Sequence, residues 1–152
     1  RLSPTARSCI TFENEEITHG LDRCLELADI VPTVLDVHHH WIKTGEYISP
    51  QDDRVQRVVD SWRGVRPAMH YSVSREDVLV DHAVHSKPDH ASLLESGYKK
   101  QKLRAHSDFY WNPMVTDWVL SFWDQFDIQC ESKGKNLASE QVYNRAVELG
   151  LV

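Results

Sequence analysis

Hydrophobic positions along this chain recur at two spacings, period two over short stretches and three-to-four over longer ones. Residues 8–13, 33–38, 67–72 and 127–132 carry the first spacing and are predicted to be strands, whose side chains point to opposite faces in turn. The second spacing predicts helices between them. Leu21, Cys24, Leu25 and Ala28 share one face of a helix over 21–29. Ser49-Pro50-Gln51-Asp52 reads as a capping box with proline at the first helical position, and Val55, Val58, Val59 and Trp62 form the stripe that follows. Asn112-Pro113 caps a helix with Met114, Trp118 and Phe122 at four-residue spacing, and a last helix covers residues 137–149. Between 72 and 112 runs a long, polar, histidine-rich connection. Strand followed by helix, repeated in this way, predicts α/β architecture with four parallel strand–helix units. Four such units make half of a TIM-type (β/α)8 barrel.

Each strand has an apolar and a polar face. Ile10 and Phe12 oppose Cys9, Thr11 and Glu13; Leu35 and Val37 oppose Val34, Asp36 and His38. Met69 and Tyr71 oppose Ala68, His70 and Ser72, while Ile128 and Cys130 oppose Gln129 and Glu131. The apolar faces suit packing under helices. The other faces carry an ionisable group near the C-terminal end of each strand, where a β/α barrel presents its chemistry.

Composition limits the choices. With 152 residues, 41% hydrophobic and 26% charged, the chain is predicted to fold as a single domain over 1–152, with no internal repeat or linker. No apolar run approaches the roughly 20 residues that cross a bilayer, and the Arg1 start shows no signal-peptide pattern, so no membrane partner is expected. Cys9, Cys24 and Cys130 lack CxxC spacing, which argues against a disulfide framework and fits a reducing, cytoplasmic setting. A net charge of −6 by itself counts against a nucleic-acid partner, unless bound cations offset part of the acidic excess.

Glu13, Asp36, His70 and Glu131 would converge at one end of the sheet if the strands pair in sequence order. His39, three residues beyond Asp36, can turn a ring toward the same centre, and His106 comes from the long connection. Mixed carboxylate and imidazole donors suit zinc, manganese or iron, and this many candidates suggest two or more ions. Taken singly, a glutamate at a strand end is ordinarily a solvated residue and a histidine a hydrogen-bonded core residue. One ionisable group per strand end is what shifts the reading to metal. Lys99, Lys100, Lys102 and Arg104, with Lys133 and Lys135, are either a solvated surface or phosphate contacts. His82, His85 and His90 read as surface residues.

Leu2-Ser3-Pro4, Thr11-Phe12-Glu13-Asn14, Leu35-Asp36-Val37-His38-His39-His40 and Met69-His70-Tyr71-Ser72, followed in order by His106-Ser107-Asp108-Phe109 and Glu131-Ser132-Lys133-Gly134-Lys135, carry a resemblance. Together they resemble the UV-damage endonuclease (UvdE) family, within the larger group that includes endonuclease IV and xylose isomerase. The resemblance implies that this chain is the second half of the family's barrel. It implies Glu13, Asp36, His39, His70, His106 and Glu131 as metal ligands, with the catalytic carboxylates Glu13 and Glu131 nearest the reactive phosphate. It further implies hydrolysis of the phosphodiester 5′ to UV-damaged bases in double-stranded DNA, with manganese the expected ion and zinc an alternative.

Two departures accompany it. The family commonly has a lysine, which can be carboxylated to ligate metal, two residues before the third-strand histidine; here that position is Ala68. The first half of the barrel is expected from elsewhere, as a missing N-terminal half or a second copy of the chain, and the isolated chain is expected to self-associate and to nick DNA little. A sugar isomerase or epimerase of the same barrel group, or a catalytically weakened metal- or DNA-binding homologue, are the alternative readings.

Overall fold

Two short runs at the start of the chain set the pattern, a capped turn of helix and then an edge strand, and each later strand adds to one side of it. The computed structural model describes residues 3–79 and 82–152. Arg1 and the Leu2 of the first motif lie outside the described residues. In chain order the elements are α1 (Pro4–Arg7), β1 (Phe12–Glu13), α2 (Leu21–Leu25), β2 (Thr33–Asp36), α3 (Val37–Thr44), α4 (Asp53–Ser61), β3 (Ala68–Tyr71), α5 (His90–Glu95), α6 (Lys100–Leu103), α7 (Pro113–Leu120), β4 (Asp127–Cys130) and α8 (Asn136–Glu148). The four strands are parallel and pair in the order β1-β2-β3-β4. No helix among the described residues is long and apolar enough to cross a membrane.

Leu35, Met69 and Tyr71, from the predicted apolar faces, are fully buried with Val55, Val58, Val119 and Ala146 from the covering helices and Phe122 from the turn after α7, and Ile128 and Cys130 pack against them. Side-chain caps set several helix starts. Asn112 Oδ1 accepts from the N–H groups of Met114 and Val115 at 3.0 and 3.1 Å, with Pro113 in the first turn as expected.

Elsewhere the structure corrects the sequence reading. The expected first strand over 8–13 shrinks to Phe12–Glu13, because Ser3 caps α1 and the following turn carries the chain through Ile10. Phe12 is consequently 41% exposed rather than packed under a helix. The second strand stops at Asp36 and not at His38: the Asp36 carboxylate accepts from the His39 N–H at 2.7 Å and starts α3 at once. The next helix begins at Asp53 rather than Pro50, since Asp52 is the residue whose side chain takes an orphan N–H, that of Arg54. On α7 the buried positions are Val115, Thr116, Val119 and Leu120, whereas Met114 is 42% exposed. His90, expected on the surface, is buried and bonds the Ile42 carbonyl through Nε2 at 2.9 Å.

Candidate metal centre at the strand ends

Parallel pairing in sequence order places Asp36 opposite His70 and His70 opposite Gln129. Glu131 follows the end of β4 and extends its pairing, its N–H donating to the Tyr71 carbonyl at 2.8 Å. Glu13 ends β1. The result is that Glu13, Asp36, His70 and Glu131 each offer one ligand atom within 4.8 Å of the other three. Donors about 2 Å from a transition ion can stand at most about 4 Å apart, so the widest pair needs to close only a little.

Asp36 anchors the group. It is fully buried; Oδ1 serves the helix cap, while Oδ2 has no hydrogen-bond partner among the described residues. A buried, unpaired carboxylate oxygen is costly unless a proton or a cation meets it. Burial pushes the Asp36 carboxyl up to about 7, against the opposing pull of His39. Asn14, which carries no charge, locks the backbone around it: its Nδ2 donates to the Asp36 carbonyl at 2.8 Å and its Oδ1 accepts from the Asp36 N–H at 2.9 Å.

His70 lies between carboxylates. Its Nδ1 is 2.8 Å from Glu13 Oε1 and 3.4 Å from Glu131 Oε1, and its Nε2 is 3.1 Å from Gln129 Oε1. The hydrogen bond to Glu13 raises the imidazole to about 9, and the same bond holds the Glu13 carboxyl below its usual range. Without a cation, a proton on His70 Nδ1 joins the two residues. The unpartnered Asp36 oxygen, the mixed donor set and its spacing all fit a divalent transition ion.

The other expected ligands lie next to this group rather than in it. His39 Nε2 is 3.7 Å from Asp36 Oδ2. His106 is held across the segment after β3 by a bridge to Ser74, with its ring centroid 6.3 Å from that of His39. Burial lowers the His106 imidazole. His38, placed by period two among the inward groups, instead sits buried in α3 between Ser72 Oγ at 2.7 Å and Ser74 Oγ at 3.1 Å. Because Ser74 donates to the Leu103 carbonyl at 2.6 Å, His38 must donate from Nε2 and accept from Ser72 at Nδ1. Burial drives its imidazole down to about 3, so it is neutral. His40 turns away to Glu46, at 3.1 Å.

The basic residues separate. Lys133, exposed, is 3.6 Å from Asp108, and Lys135 is exposed at the start of α8. The loop carrying them is clamped: Gly134 N–H donates to the Asp108 carbonyl at 2.9 Å, and a Cβ there would meet that oxygen at 2.5 Å, so only glycine fits. Lys100 Nζ donates to the Lys43 carbonyl at 2.8 Å, while Lys99 and Lys102 are exposed. Arg104 pairs at 3.0 Å with Glu16, a buried carboxylate that strand alternation could not reveal because Glu16 lies in the loop after β1. Burial raises the Glu16 carboxyl, but bonds from its own N–H and Arg104 outweigh this and leave it lowered.

A parallel sheet covered by helices, with carboxylates and imidazoles gathered at the strand ends, defines an α/β protein with a candidate metal centre. The sequence profile of the UV-endonuclease UvdE family matches residues 1–149, and the chain belongs to that family. Among solved structures, the crystal structure of SacUVDE is similar at a TM-score of 0.69 and 21% identity. That match takes in 99% of this chain but 44% of the SacUVDE chain. No curated protein matches by sequence.

Proposed function

We propose that the chain forms part of a metal-dependent DNA-repair endonuclease that hydrolyses the phosphodiester 5′ to UV-damaged bases. The observation that carries this reading is the convergence of Glu13, Asp36, His70 and Glu131 on one end of the sheet. Membership of the UvdE family supports the nuclease over a sugar isomerase. In this reading Glu13, Asp36, His39, His70, His106 and Glu131 hold two or more divalent ions, manganese foremost and zinc as the alternative. When bound, such ions supply a nucleophilic water at neutral pH and stabilise charge on phosphate oxygens.

The chain's own residues divide the remaining work. Asp36 is the buried anchor. Glu13 and Glu131, 39% and 37% exposed, stand where a phosphate can approach. Lys133 and Lys135 on the clamped loop would meet the DNA backbone. Lys99, Lys100 and Lys102 are further from this role, since Lys100 is engaged with Lys43.

The same proposal extends to architecture. Among the described residues β1 and β4 each pair on one side only. Phe12, Ile17, Leu27 and Ile30 are exposed around β1 and α2, as are Leu137, Tyr143 and Val147 on α8. Such edges and apolar flanks favour completion of a (β/α)8 barrel by a first half-barrel or by a second copy. Ala68, on the face of His70 two residues earlier, favours a second reading, a homologue with weakened catalysis, because alanine offers no ligand.

The experiment is nicking of UV-irradiated supercoiled DNA by the full protein with manganese, alongside Glu131→Gln. Manganese-dependent cleavage 5′ to the lesion, lost in the variant, is the expected result. Metal binding with no cleavage would establish the weakened homologue, and neither binding nor cleavage would remove the proposal.

A further inference from the structure

Glu16 has a side chain only 6% exposed and stands between two partners. Its Oε1 accepts from Arg104 Nη1 at 3.0 Å. Its Oε2 lies 2.5 Å from His39 Nδ1. That approach is off the axis of the ring N–H and is a close charge contact, so Nδ1 is left with no hydrogen-bond partner among the described residues. The opposite ring nitrogen, Nε2, faces Asp36 Oδ2 at 3.7 Å, on the side of the strand-end cluster.

A neutral imidazole carries its proton on one nitrogen and a lone pair on the other, and the neighbours decide which. A carboxylate can only accept, and Glu16 at 2.5 Å is much nearer to the ring than Asp36 at 3.7 Å, so Glu16 favours the proton on Nδ1. We propose that Glu16 is a positioning residue: its carboxylate holds the Nδ1 proton of His39 and so aims the Nε2 lone pair at the metal cluster. The inference rests on the metal reading of that cluster. Arg104 then serves to hold the other carboxylate oxygen, a role within the protein rather than on a DNA phosphate. Partners of this kind orient ligating histidines, and their removal ordinarily costs roughly 10- to 100-fold in metal affinity.

Glu16→Gln keeps the shape and reverses the logic. With the amide oxygen still on Arg104, the amide NH2 faces Nδ1, which must then accept. The His39 proton moves to Nε2 and blocks the lone pair. Two measurements on the full chain read this: ring 15N shifts of His39 in metal-free protein at mildly alkaline pH, and manganese affinity by calorimetry. Expected are an Nδ1–H ring in wild type, an Nε2–H ring in Glu16→Gln, and roughly a 10- to 100-fold loss of manganese affinity in the variant. Arg104→Ala should keep the Nδ1–H ring and lose less than about fivefold, as for a half-exposed ion pair.

A wild-type ring protonated at Nε2, or a tautomer unmoved by Glu16→Gln, would overturn the proposal. So would Arg104→Ala losing as much affinity as Glu16→Gln, because Glu16 would then merely anchor Arg104. If wild type binds no manganese while the tautomer still switches, the metal reading fails and the positioning of His39 by Glu16 stands.

Discussion

The two faces of β2 and β3 are built from neighbouring residues and have opposite physics. Leu35 and Met69 are fully buried under helices, while Asp36 and His70, one step further along each strand, belong to a polar cluster. The apolar face gains from burial alone, roughly 25 cal/mol for each Å² removed from water. On the polar face, burial works the other way: it pushes Asp36 up to about 7 and leaves one of its oxygens without a partner. Period-two geometry thus puts the residues that stabilise the sheet and those buried at a cost in the polar cluster side by side.

Substitutions on the two faces should separate by kind. Leu35→Ala should destabilise the chain by about 2–5 kcal/mol in urea unfolding, whereas Gln129→Ala, at the exposed end of the polar face, should stay within about 0.5 kcal/mol. Equal losses would break the comparison. The one-sided pairing of β1 and β4 among the described residues should appear as association that grows with concentration in light scattering of the isolated chain. A monomer at every concentration would contradict the half-barrel proposal.

The pH response of the metal-free chain sharpens the comparison further. His70 is raised from 6.5 to about 9, chiefly by its hydrogen bond to Glu13, so its contribution is full below about pH 6.5 and is lost as pH rises through about 9. Asp36, also raised, adds a penalty that grows from about pH 4 to about pH 7. Both signs agree: the melting temperature of chelator-treated protein should fall between about pH 6.5 and 9, and manganese uptake should rise over the same window as protons are displaced. A melting temperature that climbs there would show that the carboxylates and His70 are not coupled as described. The smallest change is expected from Ala68→Lys in the full protein. If the lysine is carboxylated, metal occupancy or manganese-dependent nicking should increase modestly; no change would mean Ala68 is not a defect.

Much of this was legible in the sequence where a signal is local. Alternation in residues 67–72 and 127–132 placed Met69, Tyr71, Ile128 and Cys130 on one face and His70 and Glu131 on the other, and their pairing is parallel. Asn112-Pro113 announced a cap that the structure contains. The strand assignment failed where one residue has two local roles. Asp36 is both a strand terminus and a helix cap, so the run through His38 looked like a strand while its hydrogen bonds make it a helix. The strand expected over residues 8–13 is cut to Phe12–Glu13 because the turn that follows the capped α1 runs through Ile10. The partners of Asn14 and Glu16 and the Ser72–His38–Ser74 chain were not legible, because they join residues 22 to 88 positions apart.

The central claim is that the polar face is a metal centre, and elemental analysis of purified protein tests it most directly. Wild type should retain or take up manganese or another transition ion. The double substitution Asp36→Ala with His70→Ala removes the buried anchor and the imidazole at the middle of the cluster, and should bring that content close to background. Equal metal content in wild type and the double variant, with both folded by circular dichroism, would contradict the account.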